Sequence, residues 1–210
     1  MIRVNGNSPN VMEFTTFKKK ENISDDDLIK AVLEFETVFL ARQEGVIFHA
    51  LVRNFHNEYA NVIFAKDMES FKCLEKEAHQ NAQAQKFFSL IEEGTVEMAF
   101  HTINKEDFRI PDHFSCLECG TFKLKEQKNF EKLVQVSDRI ENNYLSKFEN
   151  TQEHFIGTIA DNLYSEVTLG KTLGKTKEIC SGYVGNPICQ PMLDMAEVET
   201  MKLDFWYLIA

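Results

Sequence analysis

His79 stands in the most suggestive surroundings of any titratable side chain in this sequence. It is followed by Gln80, Gln83 and Gln85, and then by the pair Phe87–Phe88. An imidazole changes charge near neutral pH, so on a helix beside a cavity it can act as a general base. On a polar helix it would simply be solvated. His49 and His101, flanked by Phe48 and Phe100, fall in strand-like stretches and could face each other inside a barrel, or serve only as core histidines. Tyr59, Tyr164 and Tyr207 could bring hydroxyls to a cavity, or pack their rings in a core. The candidate residues are therefore His79 for catalysis and His49, Tyr59, Phe87 and His101 for contact with a ligand. There is no Ser-His-Asp arrangement and no dinucleotide fingerprint.

Two short motifs invite a sharper reading. "LGKTLGKT", residues 169–176, resembles a phosphate-binding loop, but Gly170 and Gly174 bracket three residues where that motif needs four. Such a loop aims successive backbone N–H groups at one phosphate, and it usually follows a parallel strand. We expect no nucleotide here. The expectation is instead a turn from a strand into an irregular segment, with the glycines supplying positive φ. "CLEC", Cys116 to Cys119, has the spacing of a zinc or redox pair. In a strand, residues three apart point to opposite faces, so no metal site is expected. The five cysteines read as free thiols.

Composition narrows the partners. The net charge is −10, and the one compact basic cluster, Lys18–Lys19–Lys20, adjoins Asp25–Asp26–Asp27. A nucleic-acid partner is not expected. No run is as long or as apolar as a membrane span, and the first residues lack a secretory signal, so the expected location is cytoplasmic. The 18 phenylalanines suggest an apolar cavity for a small aromatic or lipophilic molecule, although most must fill the core.

The elements that would position these residues repeat themselves. Glu13, Thr16, Phe17 and Lys18 recur 105 residues later as Glu118, Thr121, Phe122 and Lys123. The same offset pairs Leu28 with Leu133, Glu36 with Glu141, Tyr59 with Tyr164, Lys66 with Lys171 and Phe100 with Phe205. We read a tandem duplication of a unit of ordinary domain size, residues 1–104 and 112–210. In the first copy, strands are expected over 11–18, 46–53, 59–65 and 95–103. Helices are expected from Ser24, a capping residue, to the stop at Gly45, and from about Met68 to Leu90. The second copy reads as strands at 115–124, 155–161, 164–170 and 199–209, a helix at 129–148, and a poorly helical stretch at 172–195 rich in Gly and Pro. Residues 104–114 read as a linker. The order is β-α-β-β-α-β, the ferredoxin-like unit. The fold class is α+β, with the two repeats packed into a single-chain α+β barrel that is a monomeric pseudo-dimer or pairs further as a homodimer.

This order, together with "EYANVIFAKDMESFKCLEKEAHQNAQAQKFFSLI" (Glu58 to Ile91), resembles the dimeric α+β barrel superfamily, in particular the antibiotic-biosynthesis-monooxygenase-like proteins. The segment looks like the family's third strand, a polar turn with Glu-Ser, and a helix whose His precedes an aromatic pair. That family includes cofactor-independent oxygenases of electron-rich aromatics, haem-degrading enzymes, isomerases and proteins without known activity. The resemblance puts its helix histidine on His79. Haem degradation is not implied, since Thr15 and Thr16 stand where an Asn is wanted and the one Trp is Trp206. Two readings stay open: a cofactor-independent oxygenase of a small aromatic molecule, and a non-catalytic binding or structural barrel.

Overall fold

The computed structural model of the protein describes residues 1–125 and 129–210. The chain divides into two compact units, Met1–Phe100 with Leu208–Ala210, and His101–Tyr207.

In unit 1 the short strand β1 (Ile2–Arg3) flanks β3 (Val46–Arg53), which pairs antiparallel with β4 (Tyr59–Ala65), and β4 pairs antiparallel with β2 (Val11–Phe17). Strand β5 (Glu97–Ile103) lies on the far side of β2, so the order is β3-β4-β2-β5. Helix α1 (Asp25–Glu34) starts where Ser24 accepts the N–H of Asp27, and it runs on through a π turn (Phe35–Phe39) and a 3-10 turn (Leu40–Arg42). The expected long helix after β4 is two helices, α2 (Met68–Ala78) and α3 (Ala82–Phe88). The break falls at His79–Asn81 because the Asn81 side chain accepts the N–H groups of Gln83 and Ala84 and caps a new helix. One face of the strands, carrying Val11, Phe17, Leu51, Tyr59 and Ile63, packs on Leu28, Val32, Phe35, Phe71, Leu74 and Phe87 of the helices. Full burial of one such side chain contributes about 1.5–3 kcal/mol. The helical run ends at Arg42 rather than at Gly45, and Gly45 serves a different need. A Cβ there would sit 2.1 Å from the Ser70 hydroxyl oxygen at the start of α2.

Unit 2 repeats the plan with β6 (Cys116–Lys123), α4 (Phe130–Asn143), β7 (Thr151–Ala160), β8 (Leu163–Gly170), α5 (Leu173–Ser181), α6 (Gln190–Met195) and β9 (Lys202–Leu208), in the order β7-β8-β6-β9. An offset of 105 carries β5 at 97–103 onto β9 at 202–208, and the first residues of α1 and α2, 25 and 68, onto those of α4 and α5, 130 and 173. Strand β5 enters both ladders, its Thr102 and Ile103 pairing with Thr158 and Gly157 of β7, and Ile209 and Ala210 after β9 bond to Leu51 of β3. The strand pairings thus close into an eight-membered antiparallel cycle, as an α+β barrel requires.

Strand β7 begins at Thr151, four residues before the expected start. The Gly- and Pro-rich stretch 172–195 is broken into two short helices separated by Gly182 and Gly185. The 104–114 linker buries Phe108, Ile110 and Phe114, with the Phe108 ring edge-on to Phe155 at 4.9 Å.

"LGKTLGKT" spans the end of β8 and the first turn of α5, and only Lys171 and Thr172 lie between the two elements. That leaves no loop to wrap a phosphate. Lys175 pairs with Glu178 at 2.8 Å and lies over the Phe148 ring. Neither Gly170 nor Gly174 has positive φ, contrary to expectation. Gly170 instead makes room: a Cβ there would meet the Thr176 hydroxyl oxygen at 2.1 Å. That hydroxyl donates to the Thr172 carbonyl and accepts from the Asn150 amide, pinning α5 to the sheet. Gly170→Ala is therefore expected to cost about 1–3 kcal/mol in urea denaturation, and Thr176→Ala in that background should recover part of the loss. An unchanged midpoint for Gly170→Ala would show the approach to be unimportant. Cys116 bonds to the Gly170 carbonyl and the Thr176 hydroxyl on the α5 side of β6, while strand alternation sends Cys119 to the other side.

Candidate functional site

On the helix-facing side of β2, Glu13, Thr15 and Phe17 alternate with Met12, Phe14 and Thr16 on the other side. Register puts Thr15 opposite Asn61 of β4, and Glu13 opposite Ile63, which in turn lies opposite His49 of β3. A carboxyl, a hydroxyl, an amide and an imidazole thus meet on one face under the helices.

Above them lies a cavity of about 560 Å³. Its walls are apolar, with Phe17, Phe35, Phe71, Phe87, Phe88 and Phe100 joined by Ile63, Leu74 and Met98. Its buried polar end is Glu13, Thr15 and Asn61, and its exposed edge carries Lys72, Glu75, His79, Glu92 and Glu93.

The polar end is one hydrogen-bonded chain. Thr15 donates to Glu13 at 2.5 Å. Asn61 also bonds to the Glu13 carboxylate, and its amide oxygen meets Nε2 of His49 at 2.5 Å. Nδ1 of His49 meets Oε1 of Glu36 at 2.7 Å. The imidazole thus bridges Asn61 and Glu36, with both ring nitrogens engaged and their donor and acceptor roles set by the tautomer. Burial pushes the Glu13 carboxyl above the usual carboxylate range, and the Thr15 bond, the His49 charge and the Asn61 amide pull it partly back. Burial also opposes ionisation of Glu36, but the His49 bond and charge win and hold it below that range.

The expected site residues separate. His79 caps α2 and lies at the exposed edge of the cavity, and Phe87 forms part of its wall. His49 stands behind Asn61 as a support. Tyr59 lies outside the lining, donating to Asp25 at 2.7 Å and stacking on Phe17. His101 belongs to unit 2, where its ring bonds to Ser165 at 2.7 Å and burial lowers its pKa to about 4. Sequence reasoning missed Glu13, Thr15 and Asn61. The available signal was an acidic residue inside a run of β-formers, "VMEFTTF", since buried carboxylates are rare without a partner.

Unit 2 carries a related set of groups 105 residues on, Glu118 for Glu13, Glu166 for Asn61, His154 for His49 and Glu141 for Glu36, with Gly120 in place of Thr15 and Glu118 bonded to Cys180. His154 Nε2 meets Glu166 at 3.0 Å, and its Nδ1 lies 3.6 Å from Glu141. Burial alone would lower the His154 pKa, but the two carboxylates raise it to about 9. Burial and then the neighbouring Glu166 push Glu118 up to about 8. Glu141 falls to about 2 against the cost of burial, held by His154 and Lys105.

No family model matches the chain, and no curated protein matches it in sequence. Solved structures do. A provisionally named monooxygenase from Fusobacterium nucleatum superposes with a TM-score of 0.68 at 14% identity, over 97% of this chain and 94% of that one. An anthrone oxidase-like protein superposes with a TM-score of 0.63 at 10% identity, over 100% and 94%. A haem-degrading enzyme from Listeria monocytogenes gives 0.53 at 8% identity, over 94% and 98%. At these identities the likeness is one of fold. It agrees with the α+β, ferredoxin-like, monooxygenase-type architecture that the sequence resembles.

Proposed function

We propose that unit 1 binds a small aromatic molecule and that Glu13 moves a proton at its reacting end, in the manner of a monooxygenase-like enzyme that uses molecular oxygen as oxidant. The observation that carries this reading is a carboxyl with a raised pKa at the closed end of an otherwise apolar, Phe-lined cavity. Such a group holds a proton more readily than an ordinary carboxylate and can exchange it with a bound molecule. For an electron-rich ring bearing an acidic CH₂, Glu13 takes one proton and the carbanion forms a C–O bond with O₂. The resulting hydroperoxide loses water to leave a ketone, so R₂CH₂ + O₂ gives R₂C=O + H₂O and Glu13 regains its starting state. His79, on the exposed edge of the same cavity, would be the group that exchanges protons with solvent. Phe87 would hold the ring, and His49 would orient Asn61.

Haem, the substrate of one structural neighbour, fits this cavity poorly. Its propionates need basic partners, and the edge sets Glu75, Glu92 and Glu93 against Lys72.

The test is oxygen consumption with a tricyclic anthrone as substrate, for the native protein and for Glu13→Gln. Turnover is expected to fall roughly 10²-fold or more in the variant, the range typical of losing a general acid or base, with affinity changed much less. Native protein that binds the anthrone without consuming oxygen would instead establish the non-catalytic reading.

A further inference from the structure

A chain of buried polar groups occurs in both units, and in unit 1 an open cavity lies above it. In unit 1 Ala78, at the end of α2, lines the cavity. Its counterpart 105 residues on is Tyr183. The Tyr183 side chain is buried, and its hydroxyl donates to Glu166, the counterpart of Asn61, at 2.9 Å. It also lies in the field of Glu118, the counterpart of Glu13. Local structure turns Tyr183 inward. Helix α5 stops at Ser181, and Gly182 lets Tyr144 approach so closely that a Cβ would meet its hydroxyl oxygen at 2.1 Å. Tyr144 donates to the Ile179 carbonyl, and its ring meets that of Tyr183 edge-on at 5.5 Å. Gly185, at φ +74°, then turns the chain away toward α6.

We propose that unit 2 contains a second aromatic-binding site of the same construction, occupied by the chain's own Tyr183, whose phenol stands where a ligand stands in unit 1. The ligand class of that second site is a phenol with its hydroxyl directed at Glu166. On the reading of the unit 1 cavity as an aromatic-ligand site, its ligand lies with its ring among the phenylalanines and a polar edge toward the Asn61 end, where the reacting carbon comes within reach of Glu13. Among the exchanges between the two units, Ala78 for Tyr183 is the one that leaves one site open and closes the other.

The test uses p-cresol, the side chain of tyrosine as a free molecule, with toluene as the control lacking the hydroxyl. Calorimetric stoichiometry is expected to be one for the native protein, none for Ala78→Tyr, two for Tyr183→Ala and one for the double variant Ala78→Tyr/Tyr183→Ala. In the double variant toluene should bind at least tenfold more weakly than p-cresol. Tyr183→Phe should keep unit 2 closed and leave the stoichiometry at one. A folded double variant that binds no p-cresol overturns the second site. Should Tyr183→Ala fail to fold alone, saturating p-cresol is expected to restore its thermal transition where toluene does not, and no restoration overturns the proposal equally. Native protein that binds nothing while the double variant binds one p-cresol would refute the unit 1 reading and leave the second site standing.

Discussion

Raising the pH from 6.5 to 9 is expected to destabilise the protein, and the loss should originate in unit 2. His154 holds its proton to about 9 in the folded state, against an ordinary value of 6.5. Its contribution is fully present below 6.5 and disappears as the pH rises through 9. Glu118 holds its proton to about 8, against 4.5, so between those values the unfolded chain releases a proton that the folded chain retains. Stability therefore falls with rising pH on both counts. Each such proton contributes a slope of about 1.4 kcal/mol per pH unit. Because both groups interact with Glu166, the protons leave in steps that belong to the cluster. A loss on the order of 3 kcal/mol or more across the window is the expected outcome, read as a falling urea midpoint. Glu118→Gln removes one titration and should flatten the part of the curve between pH 5 and 8. A midpoint constant from 6.5 to 9 in the native protein would show that the cluster does not hold these protons. In acid the sign reverses for Glu141, whose contribution is present above 4.5 and fades as the pH falls through about 2.

The duplication was legible because strand and helix signals recur with no insertion between copies. Glu13 and Glu118, Glu36 and Glu141, and Lys66 and Lys171 kept the offset that the ladders later showed. β-branched and aromatic runs bounded by turn residues delivered β3 and β4 to the residue. The site was less legible because it is made by register. Glu13, Asn61 and His49 come from three strands, and their meeting depends on which residues lie opposite, which no single stretch encodes. His79 drew attention by its local company, whereas Glu13 lay in full view as a repeat marker. The packing of the linker is hard to read because its charged residues, Lys105, Glu106 and Asp107, mask three apolar ones that are buried. The exchange of Ala78 for Tyr183 is plain in sequence only after the offset is known to hold through α2 and α5, and Gly182 and Gly185 obscured that by weakening the second helix.

His49→Ala should be among the most damaging single changes in unit 1. The imidazole is fully buried, and the Glu36 carboxylate that it holds at 2.7 Å is only 2% exposed. Removing the ring leaves a buried carboxylate whose remaining partner is the half-exposed amino group of Met1 at 2.9 Å. Breaking a buried pair on one side typically costs about 3–5 kcal/mol, because the surviving charge stays in a poor solvent. Glu36→Gln keeps a hydrogen-bonding amide beside His49 and should cost less, about 1–3 kcal/mol. The double variant should cost clearly less than the sum of the two, since it leaves no buried carboxylate there. Urea denaturation of the four proteins at pH 7 measures this cycle, and strictly additive losses would rule out the pairing. The same series separates support from catalysis. His49 supports the cavity through Asn61, whose amide oxygen it holds at 2.5 Å, and through the Phe35 ring, which it meets edge-on at 5.9 Å. In whatever fraction of His49→Ala remains folded, p-cresol should bind more weakly to unit 1 because the Asn61 amide is free to turn. His154→Ala, the corresponding change in unit 2, should destabilise the protein comparably and leave that affinity unchanged.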